Sequence, residues 1–185
     1  DAPHEWRQVE TYFYIFSFLH FDASLLYPEV SWLADHGKLI FEFPIAEWLI
    51  AVFVKSAGLE TISFMRFCFV VFFLLGTYFW FLWIRAVYDR QTAFFGSILY
   101  CFSPLALYYS RSFIVDYFCL GLVIFSSYLF VKAENSLSSK DVMLLLFSAL
   151  TLGVASMIKA PVVLCGLFLF GIPWHQQKNK DLKCL

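Results

Sequence analysis

The sequence predicts an all-α polytopic membrane protein with about five transmembrane helices and an external loop carrying interfacial helices. Three observations predict it. Hydrophobic residues fill 61% of the 185 positions and charged residues only 15%, against about half and about a quarter in a soluble domain. A chain this short cannot hide so much apolar surface from water, and 24 Phe with 10 Tyr and 6 Trp suit a bilayer and its interfaces. The apolar residues are gathered into runs close to the thickness of a membrane. The basic residues collect in alternate linkers.

Residues 1–61 come first and differ in kind. They hold nine of the fourteen acids and are interrupted by Pro3, Pro28, Gly37, Pro44 and Gly58. Val9 to Phe21 can form a helix, although its aromatics run nearly all round. Ile45 to Ala57 is apolar but too short to span and carries Glu47 and Lys55, so it is expected to lie in the interface or re-enter. The predicted spans follow at 62–84, 92–110, 113–131, 142–158 and 160–174. Residues 175–185 begin a cytoplasmic loop.

Charge fixes the orientation. Arg85, Arg90, Lys132, Lys140, Lys178, Lys180 and Lys183, seven of the thirteen basic residues, fall in segments 85–91, 132–141 and 175–185. Alternating spans put these segments on one side, which the positive-inside rule makes cytoplasmic. Residues 1–61, the 111–113 turn and Lys159 then face outward. The net charge of −1 argues against nucleic acid as a partner. The five cysteines show no CxxC and no pairing pattern and are read as packing residues. There is no glycine-rich phosphate loop and no GxSxG. Because the chain begins at Asp1 without Met or a signal peptide, it is read as a piece of a longer protein.

The remaining charges carry the chemistry. Asp116, near the start of the third span, is costly at membrane depth unless paired or wet, which marks a functional residue; the plainer alternative is an interfacial helix cap. Lys159 stands at the turn before Pro161, where a snorkelling lysine is the plain alternative. Arg111 and Arg66 share that alternative. Convergence favours function: Asp116, Arg111, Lys159 and the acid-rich loop are all expected at the outer face. Cations to hold a phosphate and a carboxylate to move a proton are what a phosphate-headed lipid substrate requires. His4, Glu5 and Glu10, with Glu42 reaching in, could bind a divalent cation, though surface acids and a surface His explain these residues as well.

The ordered stretches "HEWRQVE", "FEFPIAEW", "RFCFVVF", "YYSRSFIVD", "MIKAPV" and "GIPW" resemble the membrane glycosyltransferases of the GT-C superfamily. The nearest branch holds the protein O-mannosyltransferases and the aminoarabinose transferase acting on lipid A. The likeness is collinear and corresponds to about the N-terminal third of such an enzyme. It implies an integral protein of a bacterial inner membrane that moves a sugar, with inversion, from a polyprenyl-phosphate donor to a lipid, glycan or protein acceptor.

The resemblance also assigns residues. Glu5, Arg7 and, offset by one position, Glu10 match the pattern that opens the family's first loop. Glu42 matches the Glu linked with a metal ion near the lipid phosphate, so a divalent ion is the one cofactor implied. Asp116 matches a second outer-face Asp, and Lys159 matches a lysine expected to contact phosphate. Two departures matter. His4 stands where the family has its catalytic Asp, and Phe43 stands where a phosphate-binding Lys is usual. Asp1, or else Glu5, is therefore expected as base, with His4 as a further candidate. Arg7 or Arg111 is expected over the phosphate. The competing functions are a secondary transporter, for which no internal repeat is visible, and a non-catalytic membrane assembly protein whose loop docks a partner.

Overall fold

Helix signals at the level of single residues set the elements of the computed structural model, which describes residues 5–21, 23–26, 42–133, 138–162 and 164–173. Among the described residues there is no β-strand. Among the described residues of the first third of the chain there are two helices, α1 (Glu5–His20) and α2 (Ile45–Ala57). Helix α2 stops at Gly58, whose φ of 64° places it in the left-handed region. Thr61 then caps α3 (Ile62–Val87) by accepting from the Phe64 N–H at 3.2 Å. Asp89 caps α4 (Arg90–Cys101) in the same way, accepting from the N–H groups of Gln91 and Thr92. The remaining helices are α5 (Pro104–Tyr109), α6 (Asp116–Lys132) and α7 (Ser139–Ile158). A 3-10 turn, Ala160–Val162, leads toward α8 (164–173).

One expected element needs correction. The apolar run 92–110 is two helices, α4 and α5. Pro104 has no N–H to continue the α4 ladder, and Ser103 caps a new helix by accepting from the Ala106 N–H at 3.2 Å. Other boundaries shift modestly. Helix α1 begins before Val9, and α3 runs on past Ile84 to Val87, where the Asp89 cap takes over.

Side-chain contacts give each helix its direction. Phe69 meets Phe113, Phe73 meets Tyr117, and Phe79 meets Phe125, so α3 and α6 run parallel. Phe73 stacks on Tyr100, and the Trp80 indole N–H donates to the Gly96 carbonyl at 3.4 Å, which makes α4 antiparallel to α3. Cys119 reaches the Ala155 carbonyl and Ser126 bonds Ser148, which makes α7 antiparallel to α6. Phe130 against Phe170 returns α8 to the direction of α6. The chain therefore passes back and forth through one bundle. The start of α3, the end of α5, the start of α6 and the end of α7 share one end. Exposed Arg85, Arg90, Lys132 and Lys140 lie at the other.

Small residues bring the parallel pair together. A Cβ at Gly76 would lie 3.2 Å from the Cα of Gly121, so the two backbones touch where no side chain fits. Between α6 and α7 the Ser126 hydroxyl donates to the Ser148 carbonyl at 2.6 Å, and the Ser148 hydroxyl donates to the Ser126 carbonyl at 2.8 Å. Each serine satisfies its own hydroxyl and braces the opposite helix.

Helices α3 and α7 are long and apolar enough to cross a membrane by length and composition. Their outer surfaces match that role. Phe67 on α3 is 58% exposed and Leu146 on α7 is 65% exposed, joined by Phe95, Leu99 and Phe168 on the neighbouring helices. A contiguous apolar surface of this kind belongs against lipid.

Candidate functional site

Helical periodicity in "RQVETYFY" puts Arg7, Glu10, Thr11 and Tyr14 on one face of α1, at spacings of three, four and seven. That face carries a guanidinium at the top and buried polar groups beneath it. Glu10 and Thr11 are buried, and Arg7 is about a third exposed.

Glu42 arrives from the segment before α2. The backbone N–H of Phe43 donates to the carbonyl of Met157 at 3.1 Å, and Ile45 N–H donates back to the Phe43 carbonyl at 2.9 Å. This tether fixes Glu42 beside the end of α7. Its Oε1 accepts from Arg7 Nη2 at 2.8 Å, while Arg7 Nη1 lies 3.6 Å from Glu10 Oε2. Burial acts to lower the Arg7 pKa. The Glu42 hydrogen bond and charge, with Glu10 and Asp116 behind them, outweigh it and raise the guanidinium above its ordinary value.

The second pair comes from two helix ends. Asp116 is the first residue of α6, and Lys159 follows the last residue of α7. A carboxylate at a helix N-terminus and an ammonium at a C-terminus both suit the peptide dipoles there. The Lys159 Nζ donates to Asp116 Oδ1, with Lys159 26% and Asp116 46% exposed. The Asp116 carboxylate is thus engaged across the bundle. The residue at the cap position of α6 is Val115, without a side-chain cap bond.

Both pairs open onto one cavity of about 300 Å³, lined by Arg7, Thr11, Glu42, Tyr109, Phe113, Ile114, Val115, Asp116 and Lys159. Phe113 is its best-held wall. It meets Tyr12 of α1 edge-on, Phe69 of α3 edge-on, and the Arg66 guanidinium at 5.5 Å from the ring centre. A second cavity of about 320 Å³ adjoins the first through Tyr109 and Asp116. Its other walls are mainly apolar or aromatic, among them Tyr100, Leu105, Tyr117, Leu120, Val162 and Cys165.

Of the residues singled out in the sequence, Arg7, Glu42, Asp116 and Lys159 meet at this cavity, and Glu10 backs it. Glu5 is exposed at the start of α1, and Arg111 is exposed in the α5–α6 connection; neither lines the cavity. Asp1 and His4 lie outside the described residues. Phe43 acts through its backbone, so the cations on the rim are Arg7 and Lys159.

Thr11, Tyr109 and Phe113 line the cavity without having been singled out. For Thr11 the signal was its place one helical turn after Arg7. No three His, Cys, Asp or Glu side chains among the described residues converge as a ligand set, and Glu42 is already bonded to Arg7.

The family model described as dolichyl-phosphate-mannose-protein mannosyltransferase matches residues 35–183, most of the chain. No curated protein and no solved structure matches it. The chain belongs to this mannosyltransferase family and is a membrane protein of glycosyltransferase type.

Proposed function

We propose that the cavity binds the phosphate of a polyprenyl-phosphate sugar and that the protein transfers the sugar, with inversion, to a hydroxyl at the outer membrane face. The observation that carries this reading is the meeting of two cation–carboxylate pairs, Arg7–Glu42 and Lys159–Asp116, on one cavity. A lipid phosphate entering it meets two cations in charge-assisted contact. The first isoprenoid units then pack in the adjoining apolar cavity beside Tyr117 and Leu120. The five passes through the bundle cross the membrane, and the end bearing Arg85, Arg90, Lys132 and Lys140 faces the cytoplasm.

Phosphate binding at Lys159 draws the ammonium from Asp116 and frees that carboxylate to act as base. The acceptor oxygen attacks the anomeric carbon and its proton passes to Asp116. The bond between that carbon and the phosphate oxygen breaks, and the lipid phosphate leaves with the electron pair. Arg7 and Lys159 stabilise the charge that grows on the leaving oxygen. Asp1, expected as base because His4 occupies the family's catalytic position, is the alternative, with Glu5 and His4 after it. Charges at the ends of passes also suit a transferase at the membrane surface better than a transporter, whose ligands gather at the midplane.

The test uses the full-length protein in detergent. Polyprenyl phosphate should bind at least about tenfold more weakly to Arg7→Gln and to Lys159→Met, while the uncharged polyprenol binds all three proteins alike. Asp116→Asn should lower transfer about a hundredfold or more while the lipid phosphate still binds. Equal binding of phosphate and alcohol, or unchanged affinity in both cation variants, would remove the basis of the reading.

A further inference from the structure

Helix α2 buries one face, formed by Ala46, Glu47, Ile50, Ala51 and Val54, and exposes Trp48, Val52 and Phe53 on the other. Four of the five buried positions are apolar, as a helix packed on a neighbour requires. The fifth is a carboxylate. Glu47 is only 5% exposed, and its Oε2 has no hydrogen-bond partner among the described residues. The same holds for the hydroxyl of Tyr14, which is also 5% exposed on the α1 face packed against α2.

Among the described residues, the charges whose fields reach Glu47 are Arg7 and Glu10 from α1 and Glu42 from the segment before α2, and Glu47 acts in turn on Tyr14 of α1. Arg7 is the cation of this group, and Glu42 and Glu10 already pair with its two terminal nitrogens. An ionised Glu47 would be a third carboxylate competing for one guanidinium in a place closed to water.

We propose that Glu47 is a positioning residue for the cavity: a neutral acid behind the Arg7–Glu42 pair, whose loss of a proton draws Arg7 off the rim and switches lipid-phosphate binding off. The second half rests on the phosphate reading of the cavity. Burial, and then the Glu42 and Glu10 charges, push the Glu47 carboxyl up to about 8, against only partial lowering by its own backbone N–H and by Arg7. The switch therefore falls just above neutral pH.

Between the ordinary value of 4.5 and about 8 the native carboxyl keeps a proton that the unfolded chain has released. Native stability contributed by this group is therefore full below about 4.5, falls as pH rises across that window, and is level above it.

Two measurements decide the matter, both on the full-length protein. The first is an infrared titration in detergent. A protonated-carboxyl band that persists at pH 7, fades near pH 8 and is missing in Glu47→Gln supports a neutral Glu47; a spectrum at pH 7 that is the same in both proteins overturns it. The second is polyprenyl phosphate affinity against pH. Wild type should lose about tenfold between pH 7 and pH 9, and Glu47→Gln less than about twofold. The same alkaline loss in both proteins overturns the switch.

Glu47→Leu gives a second neutral side chain should the buried amide of Glu47→Gln prevent folding, and its alkaline limb is expected to be equally flat. If wild type binds no polyprenyl phosphate at any pH, the phosphate reading and the switch built on it both fall. The infrared band then still decides whether Glu47 is the neutral acid.

Discussion

The middle of the bundle and the end that bears the cavity are held together by different chemistry. In the middle, Gly76 meets Gly121 backbone to backbone, and Ser126 and Ser148 exchange short neutral hydrogen bonds. Those groups are buried, satisfied and have no capacity left for a ligand. At the cavity end, Arg7–Glu42 and Lys159–Asp116 are partly exposed ion pairs. Each can exchange its partner for an incoming anion at small cost, because an exposed pair contributes about 1 kcal/mol or less to stability. The lesson is a division of labour: neutral contacts hold the helices, and charges near the surface stay available.

Substitutions can break or sharpen that contrast. Gly121→Leu should have the largest effect. Its new side chain meets the Gly76 backbone, which has no rotamer to change, so the loss is about 3 kcal/mol or more. Detergent extracts of this variant should aggregate on size exclusion, and a normal monodisperse peak would show that the crossing is not as tight as described.

Ser126→Ala should cost about 1 kcal/mol, the usual scale for a hydrogen bond between helices in a membrane. A lower melting temperature with unchanged lipid-phosphate affinity is expected; a change in affinity would blur the two regions. The smallest effect on stability belongs to Lys159→Met. Although it weakens phosphate binding, it should move the folding free energy by less than about 1 kcal/mol. A melting temperature lowered as far as in Ser126→Ala would make Lys159 a structural residue.

Much of the fold was legible because composition and caps are local. The apolar stretch 45–57 is α2 itself, ended by Gly58, and Thr61 marks the start of α3. Alternation of direction along the chain was readable from where the basic residues lie. The break inside 92–110 was written in Ser103–Pro104, but counting apolar residues does not register a cap. The site was only half legible. Asp116 and Lys159 could be nominated as charges in oily surroundings, and Arg7 and Glu42 by resemblance. Their pairing joins residues 43 and 35 positions apart, and no local pattern specifies that. Glu47 escaped because it looked like an interruption in an interfacial helix. Only the packing of α1 on α2 turns it into a buried acid.

The bond from the Phe43 N–H to the Met157 carbonyl also imposes an order on biosynthesis. Glu42 emerges from the ribosome long before α7, and Lys159 follows Asp116 by 43 residues. Until α7 is in place, Asp116 lacks its counter-ion and the segment bearing Glu42 lacks its backbone anchor on Met157. The cavity is therefore complete only once the end of α7 arrives. A nascent chain halted before that point holds most of the helices and a pocket that lacks Lys159.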